Sequence, residues 1–297
     1  MHVVVSGASG LIGSALTRSL RGDGHRVTAL VRRAARNADE ASWDPAKSEL
    51  DAAVLAGADA VVCLSGANVG GKRWTDSYKQ TLLRSRVDSV GTIARTLSSM
   101  GADAPQTFLA GSAVGYYGDT ADREVDESAP AGPNFLAQLC VQWEAVAQPA
   151  ADAGVRVANL RTGIIVSRDA DLVKRLRPIV LLGAAGRLGD GQQFLSWMSL
   201  RDEVRAIRFL LESNLSGPVN LVAPNPVRNA EFVKTFAAVL HRPAVLRVPG
   251  FALRAVLGEV AQDTLEDQRA RPGKLASAGF AHEDAQLESA LRWALDR

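Results

Sequence analysis

The stretch MHVVVSGASGLIG, residues 1–13, decides the fold of this chain. It begins with a short apolar run, continues through Gly7, Gly10 and Gly13, and leads into an amphipathic segment over residues 11–20. This order is typical of a strand, a tight turn and the first turn of a helix. Glycine has no Cβ to keep a pyrophosphate from the backbone, and a helix N-terminus offers it free N–H groups. The stretch therefore predicts a dinucleotide site, with a purely structural glycine turn as the alternative.

The end of the second predicted strand indicates which dinucleotide binds. Residues 26–31 are the predicted strand, and Arg32 and Arg33 follow it directly. In NAD-binding units an Asp or Glu at this place accepts hydrogen bonds from the ribose 2′-hydroxyl. A guanidinium fork suits a 2′-phosphate instead. The pair predicts NADP(H) as the cofactor; the alternative is that both arginines are solvated loop charges.

Composition argues against several classes of protein. The chain has 297 residues, a net charge of +2 and scattered basic residues, so we expect no nucleic-acid partner and no membrane surface. Its two cysteines, Cys63 and Cys140, form neither a disulfide framework nor a metal site. No His/Asp/Glu cluster has metal-ligand spacing, so we expect no metal. Without a secretory leader or an apolar run of about eighteen residues, the sequence predicts a cytoplasmic protein.

Apolar strands alternate with amphipathic helices along the chain, which indicates a parallel sheet with helices on both faces. The predicted fold class is α/β, a Rossmann-like doubly wound parallel sheet with a smaller C-terminal substrate or cap lobe. Strands are predicted over residues 2–6, 26–31, 59–64, 106–110, 154–160 and 218–222. Helices are predicted over residues 11–22, 76–99, 134–152, 201–213, 229–240 and 285–296.

Small and polar residues follow three further strands of this prediction. They are Leu64 to Ala67, Gly111 to Ala113, and Arg161 to Ile164. Ligands of such sheets bind at the carboxyl ends of the strands, so we expect these residues to frame a cofactor and its substrate. Ordinary Gly/Ser loops are the alternative.

Several short motifs occur in an order that resembles a known family. They are GASGLIG, LVRR, LSGA, Arg73–Trp74, Ser85–Arg86, SAVGYYG (residues 112–118), Trp143–Glu144, SWM (residues 196–198) and APNPVRNAEF (residues 223–232). The chain resembles the atypical extended short-chain dehydrogenase/reductases, in the NAD(P)-dependent epimerase-family subgroup that has its own C-terminal domain. The resemblance covers residues 1 to about 295. It implies an NADP-binding domain over residues 1–222 and a small C-terminal domain over residues 223–297. Residues 182–198 of the first domain are expected to contribute to the substrate lobe.

The resemblance also implies a set of cofactor contacts at the first turn, at the strand ends and on the helix over residues 76–99. Combined with the strand-end pattern, it assigns cofactor binding to Gly7, Ser9, Gly10, Leu11, Ile12, Gly13, Arg32, Arg33, Leu64, Ser65, Gly66, Thr81, Arg86, Gly111, Ser112, Ala113, Arg161, Gly163 and Ile165. Within the substrate lobe, Gln192, Gln193 and Trp197 are expected to offer hydrogen bonds and an aromatic wall.

The chain departs from the wider superfamily in its proton-handling residues. Those enzymes use a Ser, with a Tyr and a Lys four residues apart on one helix face. Matching the register at Glu144 puts Cys140 at the lysine position, Leu136 at the tyrosine position and Ala113 at the serine position. The standard mechanism is therefore not expected here. The possible substitutes are Tyr116, Tyr117 and Ser112.

Two functional hypotheses follow. The first is an NADP(H)-dependent oxidoreductase or epimerase-like enzyme with an unknown small-molecule substrate. The second is a non-catalytic NADP(H)-binding protein with a regulatory or redox-sensing role. Fold does not decide between them. The oligomeric state is expected to be a monomer or a homodimer.

Overall fold

The computed structural model describes residues 1–244, 246–248 and 266–296. The strands are β1 (His2–Ser6), β2 (Arg26–Val31), β3 (Glu40–Ser42), β4 (Ala60–Cys63), β5 (Thr107–Ala113), β6 (Arg156–Thr162), β7 (Ile164–Val166), β8 (Gly186–Leu188), β9 (Phe194–Leu195), β10 (Trp197–Ser199), β11 (Gly217–Leu221), β12 (Val227–Arg228) and β13 (Leu246–Val248). The helices are α1 (Leu11–Gly22), α2 (Asp76–Met100), α3 (Phe135–Ala145), α4 (Gln148–Asp152), α5 (Asp171–Leu181), α6 (Leu200–Glu212), α7 (Asn229–Val239), α8 (Gly273–Ser277) and α9 (Leu287–Leu295).

The central sheet has seven parallel strands in the order β11-β6-β5-β4-β1-β2-β3. Its strands are apolar on both faces because helices cover both. On one face, Val4 and Phe108 pack in the core with residues of α2 and α3. On the other, Val5 and Leu109 pack with residues of α1 and α6. The predicted Rossmann-like fold class is confirmed.

The direction of winding changes between β1 and β4. The chain runs outward from β1 through β2 to β3 on one side, and from β4 through β5 and β6 to β11 on the other. A crevice opens at such a switch point, beyond the carboxyl ends of the strands, and this is where sheets of this kind bind ligands. The glycine turn after β1 lies at this point.

A smaller group of elements forms a second core. Residues 186–195 supply β8 and β9, which pair with β13 and β12 from later in the chain. Phe232 and Phe236 of α7 pack in this core with residues of α9. Trp197 is fully buried there, and its indole N–H donates to the Asn225 carbonyl at 3.0 Å. The expectation that Trp197 walls a substrate pocket is therefore wrong. The domain boundaries stay a prediction.

The helices differ from the sequence prediction over residues 134–152 and at α5, and the five-residue α8 was not predicted either. The single helix predicted over residues 134–152 is two helices, because Pro149 has no N–H to continue the α3 hydrogen-bond ladder and instead lies in the first turn of α4. Helix α5 was not predicted, and it contains Pro178, a residue that usually marks a helix end. Within the described residues, no helix is long and apolar enough to cross a membrane.

Candidate functional site

The turn after β1 needs its glycines for steric reasons. Gly7 has φ +74°, and a Cβ there would lie 2.7 Å from the carbonyl carbon of Leu64. A Cβ on Gly13 would overlap the Gly7 carbonyl oxygen. The N–H of Gly10 closes the turn by donating to that same oxygen at 2.9 Å. The turn between β1 and α1 is therefore so closely packed that only glycine fits at these positions. Its exposed backbone can come within reach of a pyrophosphate.

The N-terminus of α1 is open to an anion. Its N-cap is Gly10, no side chain caps it, and its first turn contains no acidic residue. The first N–H groups of the helix therefore lack a side-chain acceptor, and the helix dipole adds partial positive charge. The turn borders a cleft of about 1020 Å³, a volume suited to a dinucleotide.

The cleft collects about half of the predicted cofactor residues. Those that line it are Gly7, Ser9, Gly10, Arg32, Arg33, Leu64, Ser65, Gly66 and Thr81. It also has lining residues that were not predicted: Thr17, Arg21, Asn37, Asp39, Trp43, Asp44, Ser85, Asp88 and Ser89. Four of these, Asn37, Asp39, Trp43 and Asp44, flank β3, a three-residue strand that the sequence did not reveal.

The two arginines after β2 differ in what they contact. Arg32 is exposed and makes no hydrogen bond or ion pair with another described residue. Arg33 holds Glu40 with both ends of its guanidinium, at 2.7 and 2.6 Å. Hydrogen bonds from Arg33 and from the Arg36 N–H lower the pKa of Glu40 to about 2. Of these two arginines, only Arg32 has a guanidinium that no described residue engages.

Arg86 lies behind the β4 strand end. Its guanidinium is buried, donates to the Leu82 carbonyl at 3.0 Å and lies 4.9 Å from the centroid of the Trp143 ring. A Cβ on Gly66 would stand 3.2 Å from its Cζ, so this glycine keeps the guanidinium next to the strand-end turn. Burial lowers the pKa of Arg86.

The polar residues at the ends of β5 and β6 bind one another. Arg161 donates to both Glu144 carboxylate oxygens, at 2.8 and 2.9 Å, and Ser112 Oγ donates to the same carboxylate at 2.6 Å. Arg161 Nη1 also donates to Tyr117 Oη at 3.0 Å, and that hydroxyl donates to Asn220 at 2.7 Å. We call these five residues the Arg161 network. Burial acts to lower the pKa of Arg161, but the hydrogen bonds and charge of Glu144 outweigh it and raise that pKa.

Two of the three candidate proton donors are members of this network. Ser112 and Tyr117 are each only 4% exposed, and both hydroxyls have partners. Burial raises the pKa of Tyr117 to about 12, although Arg161 acts in the opposite direction. Tyr116 differs: it is half-buried, and its hydroxyl makes no hydrogen bond to any described residue. Its ring centroid lies 3.4 Å from the Arg161 guanidinium carbon.

One face of α3 is directed at the end of β5. A Cβ on Gly115 would lie 3.4 Å from the Leu136 Cβ, and the Cys140 thiol donates to the Ala113 carbonyl at 3.7 Å. Glu144 continues the same face. Burial, together with the charge of Glu144, raises the pKa of Cys140 to about 12. The helix face that would present a Tyr and a Lys thus carries a leucine and a thiol that stays protonated.

Gly111, Gly163 and Ile165 were also predicted as cofactor residues, and they pack against protein. A Cβ on Gly111 would lie 2.9 Å from the Trp143 ring, and one on Gly163 would lie 2.6 Å from the Ser196 carbonyl oxygen. Ile165 pairs with Met198 across β7 and β10. None of these three residues lines the cleft beside the glycine turn.

Comparison with known proteins places this geometry in a family. A profile of the NAD dependent epimerase/dehydratase family matches residues 3–222. The chain belongs to that family. A second profile, a domain of unknown function (DUF1731), matches residues 248–294. The resemblance that the motifs indicated is confirmed.

Relatives match along the whole chain. Epimerase family protein Mb2239 of Mycobacterium bovis is 46% identical over 99% of this chain and 98% of its own length. Epimerase family protein SDR39U1 of Mus musculus is 32% identical over 98% of this chain and 99% of its own. The crystal structure of human epimerase family protein SDR39U1 with NADPH superposes with a TM-score of 0.91 at 30% identity, covering 100% of both chains.

Proposed function

We propose that this chain binds NADP(H) in the cleft beside the glycine turn and acts as an oxidoreductase on a small molecule not yet identified. The observation that carries the cofactor assignment is the pairing of a glycine-lined, uncapped helix N-terminus with the unpartnered guanidinium of Arg32. The first suits a pyrophosphate and the second a ribose 2′-phosphate. The similarity to the human protein crystallised with NADPH supports the same assignment.

The bound nicotinamide would supply or accept a hydride. This chain's own residues would hold the phosphates, orient the dinucleotide along the strand ends and exclude water with the α3 face. Proton transfer by the usual tyrosine and lysine has no counterpart in Leu136 and Cys140. Of the three substitutes, we propose Tyr116 as the proton donor, because its hydroxyl is free to reach a substrate while Ser112 and Tyr117 are engaged in the Arg161 network.

A second candidate function rests on that same engagement. If the Arg161 network serves only to hold β5, β6 and β11 together, the cleft binds a dinucleotide but the protein does not catalyse its oxidation or reduction. The protein would then be a non-catalytic NADP(H)-binding protein that senses redox state or regulates a partner. Fold alone supports both functions equally.

Titration separates cofactor binding from simple charge effects. We expect the protein to bind NADP⁺ more tightly than NAD⁺ in calorimetry, and R32A to lose that preference. R36A is the matched control, because Arg36 is exposed in the same loop but lies outside the lining of the cleft. Equal affinity for the two dinucleotides, or equal losses in R32A and R36A, contradicts the proposal.

Turnover separates the two functions. We expect NADPH oxidation with at least one member of a panel of carbonyl compounds, lost in Y116F with the affinity for NADPH unchanged. Y117F tests the other ring, and we expect it to reduce stability more than the rate at saturating substrate. Tightly bound cofactor that no carbonyl oxidises favours the non-catalytic function.

A further inference from the structure

The adenosine end of the cleft contains a carboxylate that occupies one of the two arginines after β2. Glu40, the first residue of β3, accepts from both terminal nitrogens of Arg33 and from the Arg36 N–H at 2.9 Å. Arg33 Nη1 also donates to the Ala34 carbonyl at 2.9 Å. The Glu40 side chain is 17% exposed and that of Arg33 is 42% exposed, so solvent and a ligand can reach the pair.

A carboxylate and a phosphate use the same donors of a guanidinium. Both accept two parallel N–H bonds from the planar fork, and only one of them can hold a given pair of donors at a time. Arg32 and Arg33 line the same cleft, and among the described residues no carboxylate pairs with Arg32. The free protein therefore offers a phosphate one open guanidinium and one that is already engaged.

We propose that Glu40 sets the affinity for the ribose 2′-phosphate by holding Arg33 in the free protein and yielding it when the phosphate binds between Arg32 and Arg33. This inference rests on the proposed NADP(H) site. Glu40 acts as a positioning residue, because it affects the phosphate through Arg33 and through its own negative charge. NAD(H) has no 2′-phosphate and leaves the pair intact.

The consequence is a carboxylate whose removal strengthens cofactor binding. In E40Q the amide still accepts from the Arg36 N–H, but it holds Arg33 less strongly and no longer repels a phosphate. We expect NADP⁺ to bind about three- to tenfold more tightly, since an exposed ion pair and one nearby like charge contribute at this level. The gain shrinks at high salt, because exposed charges are screened.

Calorimetric titration with NADP⁺ and NAD⁺ tests the inference on wild type, E40Q, R33A and the double variant. We expect E40Q to gain affinity for NADP⁺ alone. When Arg33 is also replaced, we expect the gain to shrink to that of E49Q, because only the loss of a nearby negative charge then remains. E49Q is the matched control, because Glu49 is an exposed carboxylate beside Arg32 and Arg33 in a neighbouring hollow and pairs with neither. E40D keeps the charge but draws the carboxylate away from Arg33, so we expect it to gain affinity for NADP⁺ less than E40Q does.

The outcomes separate this inference from the proposed function. A wild-type protein that binds neither dinucleotide refutes the cofactor site itself. A wild-type protein that prefers NADP⁺, with E40Q changed no more than E49Q or with its full gain kept after loss of Arg33, refutes the role of Glu40 alone. Thermal unfolding of each variant checks that the β2–β3 edge is intact. If E40Q unfolds, an E40D variant that binds NADP⁺ no more tightly than wild type refutes the role of Glu40.

Discussion

Stability should fall with rising pH because of one buried carboxyl. Glu203, in the first turn of α6, is fully buried, and its Oε1 accepts from the Thr162 hydroxyl at 2.9 Å. Its Oε2 has no partner among the described residues. Burial raises the pKa of Glu203 from 4.5 to about 8, with the Thr162 hydrogen bond acting in the opposite direction.

The sign of the effect follows from where the proton is held. Between about pH 4.5 and pH 8 the unfolded chain has released this proton while the folded protein retains it. The unfolded state therefore binds fewer protons, and the free energy of unfolding falls as pH rises through this window. One pKa unit corresponds to about 1.4 kcal/mol, so the free energy of unfolding falls by about 3–5 kcal/mol across this pH range.

Denaturant unfolding, followed by circular dichroism between about pH 5 and pH 8, measures this loss. We expect E203Q to match wild type near pH 5 and to exceed it by about 3 kcal/mol or more near pH 8, because the amide has nothing to ionise. E212Q is the matched control, since Glu212 is an exposed carboxylate at the other end of the same helix. Parallel pH profiles for wild type and E203Q would show that Glu203 is ionised inside the protein, which refutes the reasoning.

Two further predictions concern packing. We expect G13A to lower the free energy of unfolding by about 2 kcal/mol or more and to weaken NADP⁺ binding, because the new Cβ overlaps the Gly7 carbonyl. G22A is the matched control: Gly22 lies in the same helix, and a Cβ there would have no atom within 4 Å. It should show neither effect in the same thermal-melt and titration assays. We expect E144Q to lower the free energy of unfolding, measured with denaturant, by about 3–5 kcal/mol, because it leaves the buried Arg161 cation without its carboxylate. E288Q breaks an exposed pair within one helix and should lower it by less than about 0.5 kcal/mol. Equal losses in the two variants would contradict this expectation.

The sequence revealed those parts of the fold whose signals are local. Six strands of the central sheet are long enough and rich enough in apolar residues to show their type, and the glycine turn lies between β1 and the amphipathic α1. Strands of two or three residues, such as β9 and β12, are too short for a period of two to be seen. They exist because two distant segments pair, and a single sequence does not display that pairing.

The candidate site shows the same difference between local and long-range signals. Gly7, Gly10 and Arg32 were identifiable because each is defined by its place next to a strand end. Whether Arg33 is free depends on Glu40, and that contact depends on the parallel register of β2 and β3, in which Ala29 lies opposite Glu40. Residue type alone therefore made the two arginines look equivalent, although only one of them is unpaired.

The same reasoning limits the chemistry available at the nicotinamide end. Ser112, Arg161 and Asn220 lie opposite one another across β5, β6 and β11, so their side chains point to the same face and meet over α3. A buried guanidinium with its carboxylate is costly to separate, and Tyr117 supplies a hydroxyl that the guanidinium needs. A substrate that recruited Ser112 or Tyr117 as a proton donor would have to break this network at each turnover. Tyr116 requires no such break, because its ring rests on the Arg161 guanidinium and its hydroxyl is free. Catalysis in this chain, if it includes protonation by a side chain at the end of β5, is therefore expected to stop in Y116F and to survive in Y117F.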